Sequence, residues 1–160
     1  MPDRNDALRD GLWKLYLDHY TYVRHHDTQR STVAGAFVAI SAALLGLITF
    51  DRGITVTDLP AAIFLIVLAL FGALFSAKQW ERSAFHAQRA REYRNRLDEL
   101  LGGTAIRDLK AQADAAHAKE FPVLSRLRIH AFWIGLYLLV AAIGAGLVSI
   151  ALWAPIRPHS

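Results

Sequence analysis

The chain has 160 residues, 54% of them hydrophobic and 20% charged, with 18 Lys and Arg against 14 Asp and Glu. These totals suit a single domain and lie near those of an ordinary globular protein. There is no cysteine, which excludes disulfides and thiolate metal sites. The charge is nevertheless segregated: Val33–Phe50, Leu59–Ala77 and Ala131–Trp153 contain no Asp, Glu, Lys, Arg or His. Each run is close to the ~20 residues a helix needs to cross ~30 Å of hydrocarbon. A domain this small cannot bury three helices that are apolar on every face. The pattern predicts an all-α integral membrane protein with three transmembrane helices and a cytoplasmic helical stalk.

In chain order, residues 1–32 read as an N-terminal helix with Asp3 or Asn5 as cap and no apolar core of a cleavable signal. Leu8, Leu12, Leu15, His19, Val23 and His26 fall at helical spacing along it. No Gly or Pro intervenes between Gly11 and Gly35, so the helix should continue into the first span, 33–50, with Ser31-Thr32 as the place for a bend. Asp51-Arg52-Gly53 ends that span, and the 51–58 connection is too short for anything but a hairpin turn. Pro60 suits a first helical turn. From there one continuous helix is expected to Leu101, its first part being the second span, 59–77, and its remainder leaving the membrane past Trp80. Trp80, Ala84, Ala87, Ala90, Tyr93, Leu97 and Leu100 are spaced three or four apart, a stripe for packing against the N-terminal helix. Gly102-Gly103 stops this helix, and 104–120 is a weaker amphipathic helix with Ile106 and Leu109 on its apolar side. Pro122 breaks the chain before the third span, 131–153, which Phe132-Trp133 and Trp153 bracket as interfacial aromatics.

Lys and Arg set the orientation. Segment 1–32 holds five and segment 78–130 holds eleven, whereas 51–58 has Arg52 alone and 154–160 has Arg157 alone. The positive-inside bias places the N-terminus and 78–130 in the cytoplasm and the C-terminal tail outside. The sequence pI near 9.7 is this topology signal, and no nucleic-acid partner is expected.

The spans hold no ionisable side chain, which argues against a pump or proton-coupled transporter. Their deep hydroxyls, Ser41, Thr49, Ser76 and Ser149, are read as satisfying backbone carbonyls on their own helices, with a pore-lining role as the alternative. Small residues repeat every four positions: Gly35, Ala39 and Ala43; Ala69, Ala73 and Ala77; Ala141, Ala145 and Ser149; Ala142 and Gly146. Such faces let helices approach closely, either within one subunit or between subunits of a homo-oligomer, where an apolar constriction needs no charged lining.

In the stalk, His19, His26 and His86 are weak candidates for metal binding or pH sensing, because no HxxxH or HExxH spacing occurs. Arg82, Arg89 and Arg96 are seven apart, with Arg91 and Arg94 beside them and Tyr16 and Tyr20 on the partner helix. Arginine with aromatic side chains can clamp an anionic ligand, meet lipid headgroups or pair with local carboxylates. No phosphate loop, nucleophile triad or paired carboxylate occurs, so neither an enzyme nor a cofactor is expected.

The string Tyr-Leu-Asp-His-Tyr-Thr-Tyr-Val-Arg-His-His-Asp-Thr-Gln-Arg-Ser-Thr at 16–32, directly ahead of the first span, and Ser-Ala-Lys-Gln-Trp-Glu-Arg-Ser-Ala-Phe-His at 76–86 carry a family resemblance. Over residues 12–101 the layout resembles the SLATT group of small bacterial membrane effectors, and also the RipA-like oligomeric inner-membrane proteins. It is a likeness of architecture. The SLATT resemblance implies a multi-pass protein of the bacterial inner (plasma) membrane. It would be a self-assembling pore or membrane-disrupting effector of antiphage defence, held closed until a signal molecule or regulatory protein acts on the stalk. Arg24, Arg30 and 82–96 would stand at its collar positions. The alternative is a non-conducting oligomeric scaffold or chaperone-like protein.

Overall fold

The structure is a computed structural model and describes residues 4–50 and 53–153. Asp3, Asp51, Arg52 and the 154–160 tail with Arg157 lie outside the described residues. All regular structure among the described residues is helical. Four α-helices run in order: α1 Arg4–Thr49, α2 Leu59–Leu100, α3 Ala105–Glu120 and α4 Ile129–Trp153, with single 3-10 turns at Val56–Asp58 and Leu124–Arg126. Three of them, α1, α2 and α4, are long and apolar enough to cross a membrane.

α1 is unbroken through Ser31-Thr32. The expected bend does not interrupt the helix, because both residues keep their backbone donors and cost only a few tenths of a kcal/mol in a helix. Asn5 lies within the first turn of α1 and not ahead of it as a cap. Thr21 and Thr28 return their hydroxyls to Leu17 O at 2.9 Å and Arg24 O at 3.0 Å, which removes them as competitors for the helical ladder. Before α2, the Asp58 carboxylate accepts the Thr55 N–H at 2.8 Å. Pro60 then occupies the first turn, as its missing donor allows.

α2 ends as Gly102-Gly103 predicts. Gly102 has φ 76°, the left-handed conformation that glycine adopts without a Cβ clash. The Gly103 N–H donates to Asp98 O and the Gly102 N–H to Glu99 O, both at 3.1 Å, the paired bonds that close a helix C-terminus.

The described residues form two compact units, and α1 and α2 contribute to both. The apolar unit comprises 29–50, 53–78 and 129–153; the polar unit comprises 4–28 and 79–128.

In the apolar unit the seam gathers Ala34, Phe37 and Ile48 of α1, Ala62, Leu65 and Ala69 of α2, and Tyr137, Val140 and Leu147 of α4. Phe37 meets Tyr137 edge-on with ring centroids 4.5 Å apart, a favoured aromatic geometry. Two glycines let the backbones close. A Cβ on Gly72 would stand 2.5 Å from the Tyr137 ring, and one on Gly144 would stand 2.8 Å from Ile66 Cγ1 and 3.1 Å from Ala62 O. Around this thin seam the outward side chains are also apolar, among them Leu47, Val67, Phe71, Leu74, Leu139 and Leu152. Apolar inside and apolar outside is what a hydrocarbon surrounding asks for.

In the polar unit Ala90, Leu97 and Asp98 are buried, with Leu12, Tyr16, His19, Val23 and His26 half-buried on α1. The α1 face therefore differs from the expected stripe: Leu8 and Leu15 point outward and Tyr16 points in. Of the α2 stripe, Trp80 is exposed and the rest is buried or half-buried. On α3, Ile106 is half-buried but Leu109 is exposed; α3 rests on one turn and not on a full apolar side. That turn is fastened by Asp98. Its carboxylate accepts the N–H groups of Ile106 at 2.8 Å and Arg107 at 2.9 Å, satisfying donors that a helix start leaves without intrahelical partners.

Candidate functional site

In the polar unit α1, α2 and α3 line a half-open cavity of about 330 Å³, at the lower end of the ~300–1,000 Å³ of small-molecule sites. The α1 wall is aromatic: Tyr16 and Tyr20 line it, their rings stacked 5.9 Å apart, and Trp13 extends the ladder with its ring 5.4 Å from that of Tyr16. Arg24 covers Tyr20 at 5.8 Å from the ring centroid. The α2 wall supplies Arg91 and Arg94 over a floor of Ala87 and Ala90, and α3 adds Ile106 and Lys110. Side chains three or four apart share a helix face, which is why Tyr16 with Tyr20, Arg91 beside Arg94, and Ile106 with Lys110 arrive as pairs.

The electrostatics of this cavity are one-sided. Three of its lining residues are cations and none is a carboxylate. Lys110 pairs with Asp114 on its own helix. Arg94 Nε is buried without a hydrogen-bond partner, while the far end of its guanidinium donates to Asn95 Oδ1 at 3.4 Å. Arginine presents its donors in a fixed planar fork that matches carboxylate or phosphate oxygens. The arrangement can bind; it holds no nucleophile poised beside a base.

Of the residues anticipated for an anion clamp, Tyr16, Tyr20, Arg91 and Arg94 are brought together here, and Arg82, Arg89 and Arg96 are not. Arg89 instead lies over the Phe85 ring at 4.3 Å, and Arg96 pairs with Glu99. The heptad arginines stand on a different face of α2 from Ala87, Ala90 and Arg94. Ile106 and Lys110 were not anticipated; their spacing of four on the short α3 was the available signal.

The three histidines also meet, outside that cavity. His19 Nδ1 and His86 Nδ1 are 2.8 Å apart. His26 stacks on His86 with ring centroids 5.5 Å apart and engages Gln79 Oε1 at 2.7 Å. Tyr22 stacks on His86 and Tyr93 on His19. Among the described residues there is no group of three or more His, Cys, Asp or Glu side chains able to hold a metal ion. Burial, followed by the positive charges of His19, His26, Arg89 and Arg82, lowers the His86 pKa below its ordinary value of 6.5. A larger hollow of about 440 Å³ lies by Asp114, His117 and Arg126; it mixes acid with base and lacks the aromatic wall.

The small-residue faces divide. Ala69 is buried in the seam and Ala73 and Ala141 are half-buried. Gly35, Ala39, Ala43, Ala145, Gly146 and Ser149 all face outward. Gly35, Gly46, Gly135 and Gly146 have open space where a Cβ would project. Packing of α4 on α2 uses Gly144, one of the residues the spacing-of-four reading passed over. Thr49 and Ser149 bond their own helices, to Leu45 O at 2.8 Å and Ala145 O at 2.9 Å. Ser41 and Ser76 do not follow them: both are buried and their hydroxyls have no partner. Arg30, which the resemblance would put at a collar position, is buried in the apolar unit.

No protein-family model, curated protein or solved structure matches the chain.

Proposed function

We propose that the chain is an oligomeric, multi-pass inner-membrane protein that forms a pore or disrupts the bilayer, and that its cytoplasmic helices control it. In this reading 33–50, 59–77 and 131–153 span the membrane, 1–32 and 78–130 are cytoplasmic, and the 154–160 tail is outside. The observation that carries it is the outward stripe of Gly35, Ala39 and Ala43 on α1, with Gly146 and Ser149 on α4, open at the glycine positions. Helices in lipid associate by close backbone approach at such residues, and one copy of the chain leaves these unused. A ring of copies packed on them would enclose an apolar constriction, which can gate by dewetting without charged side chains. The likeness to SLATT effectors supports a role in antiphage defence.

The test is induced expression with membrane potential and dye exclusion followed together, alone and with any neighbouring signalling gene. Loss of potential with dye entry is expected. Intact potential in both conditions, with an oligomer still present in detergent, would abandon the pore in favour of the non-conducting scaffold. A reporter fused after Ser160 that faces the cytoplasm would overturn the topology.

A further inference from the structure

We infer that the cavity between α1, α2 and α3 is a binding site for a small, soluble phosphorylated molecule carrying a planar ring. Charge, shape and chemistry converge on that class. Arg91 and Arg94 have no carboxylate partner among the described residues, and Lys110 on α3, paired with Asp114 of its own helix, lines the same space. Two guanidinium forks and an ammonium around one space match a phosphate dianion, whose several oxygens can accept from all three.

The opposite wall asks for something other than a bare ion. Tyr16 and Tyr20 present stacked rings, and Val23, Ala87 and Ala90 add apolar lining. A planar ring would stack there while its phosphate reached α2 and α3. The volume of about 330 Å³ admits one ring system and one phosphate. Because α3 supplies Ile106 and Lys110 but is held mainly by the Asp98 cap, a ligand bridging α2 and α3 would fix α3 in place. The assignment stands apart from the pore reading: a chain that leaves the membrane potential intact can still bind.

The test is calorimetry on the full chain in detergent, with adenosine 5′-monophosphate as a planar-ring phosphomonoester, adenosine as its uncharged counterpart and inorganic phosphate as its ringless one. Saturable binding of the monophosphate is expected, with adenosine and phosphate each weaker by about tenfold or more. Arg94→Gln and Lys110→Gln should each weaken the monophosphate about tenfold, since each removes a charge-assisted contact. Arg96→Gln, whose side chain pairs with Glu99 outside the cavity, should stay within about twofold. Lys110 is exposed, so its variant keeps the test valid if Arg94→Gln loses helicity. Equal affinity for adenosine, equal effects of Arg94→Gln and Arg96→Gln, or no saturable monophosphate binding would overturn the proposal. So would binding of phosphatidic acid in nanodiscs without binding of the monophosphate, which would assign the phosphate contacts to a lipid headgroup.

Discussion

His19 and His86 share a hydrogen bond between their Nδ1 atoms, 2.8 Å apart. Such a bond exists only while one ring donates its Nδ1–H and the other offers a lone pair. Protonating both rings would point two N–H groups at each other. Every charge acting on His86 is positive, from His19, His26, Arg89 and Arg82, and burial adds to their effect. The folded-state pKa of His86 is thus lowered, and the unfolded chain binds more protons between that value and 6.5. The contribution is fully present above the unfolded value and is lost as pH falls through the folded one. Thermal melting of the polar unit, followed by near-UV circular dichroism in detergent, should drop as pH goes from about 7.5 to about 5.5. His86→Asn, which cannot take up a proton, should flatten most of that slope; an equally steep slope in the variant would refute the assignment to His86.

Asp98 is 1% exposed and serves two N–H groups of another helix. Asp98→Ala should release the start of α3, at about 1–2 kcal/mol for the lost cap. Hydrogen exchange at 105–108 should quicken markedly while exchange in the middle of α2 stays slow. Asp98→Asn, which keeps the shape and loses the charge, should fall between the two. Unchanged protection in Asp98→Ala would mean that α3 is held by Ile106 packing instead.

Ser76 is 1% exposed and its hydroxyl has no partner. Removing an unsatisfied buried hydroxyl relieves a desolvation cost, so Ser76→Ala should be neutral or stabilising by about 1 kcal/mol. Detergent denaturation curves compared with the parent would show it. A loss above about 1 kcal/mol would mean that the hydroxyl is bonded in the folded protein.

The helices were legible because their signals are local. Charge-free runs give the three helices long and apolar enough to cross a membrane, Gly102 gives the stop of α2, and Pro60 gives its start. Asp98 was not legible, because its role lies in bonds to amides eight and nine positions on, across a chain reversal. The α4 seam was missed for a different reason. Its run offers several small-residue stripes, 141-145-149, 142-146 and one through Gly144, and only contact with Ala62 and Ile66 on α2 selects the last. The same ambiguity affects the arginines: a heptad count favours Arg82, Arg89 and Arg96, whereas the approach of α3 makes Arg91 and Arg94 the pair that lines a cavity.

Gly144 and Gly35 distinguish packing within one copy of the chain from the packing between copies proposed above. At Gly144 an added methyl would meet Ile66 Cγ1 at 2.8 Å and Ala62 O at 3.1 Å; the carbonyl belongs to a helix backbone and cannot step aside as a side-chain tip can. Gly144→Ala should therefore cost about 1–3 kcal/mol of unfolding free energy through overpacking. At Gly35 the same methyl enters open space, and alanine is the better helix former by about 1 kcal/mol. Gly35→Ala should leave the monomer as stable or more so, and Gly35→Leu should shift the detergent-solubilised protein toward smaller species by filling the groove that a neighbouring copy would use. Unfolding in graded SDS reads the first effect, and light scattering on the sized protein reads the second. If Gly35→Leu keeps the parent's oligomer while Gly144→Ala dissolves it, the outward stripe is lipid-facing surface and subunits meet elsewhere.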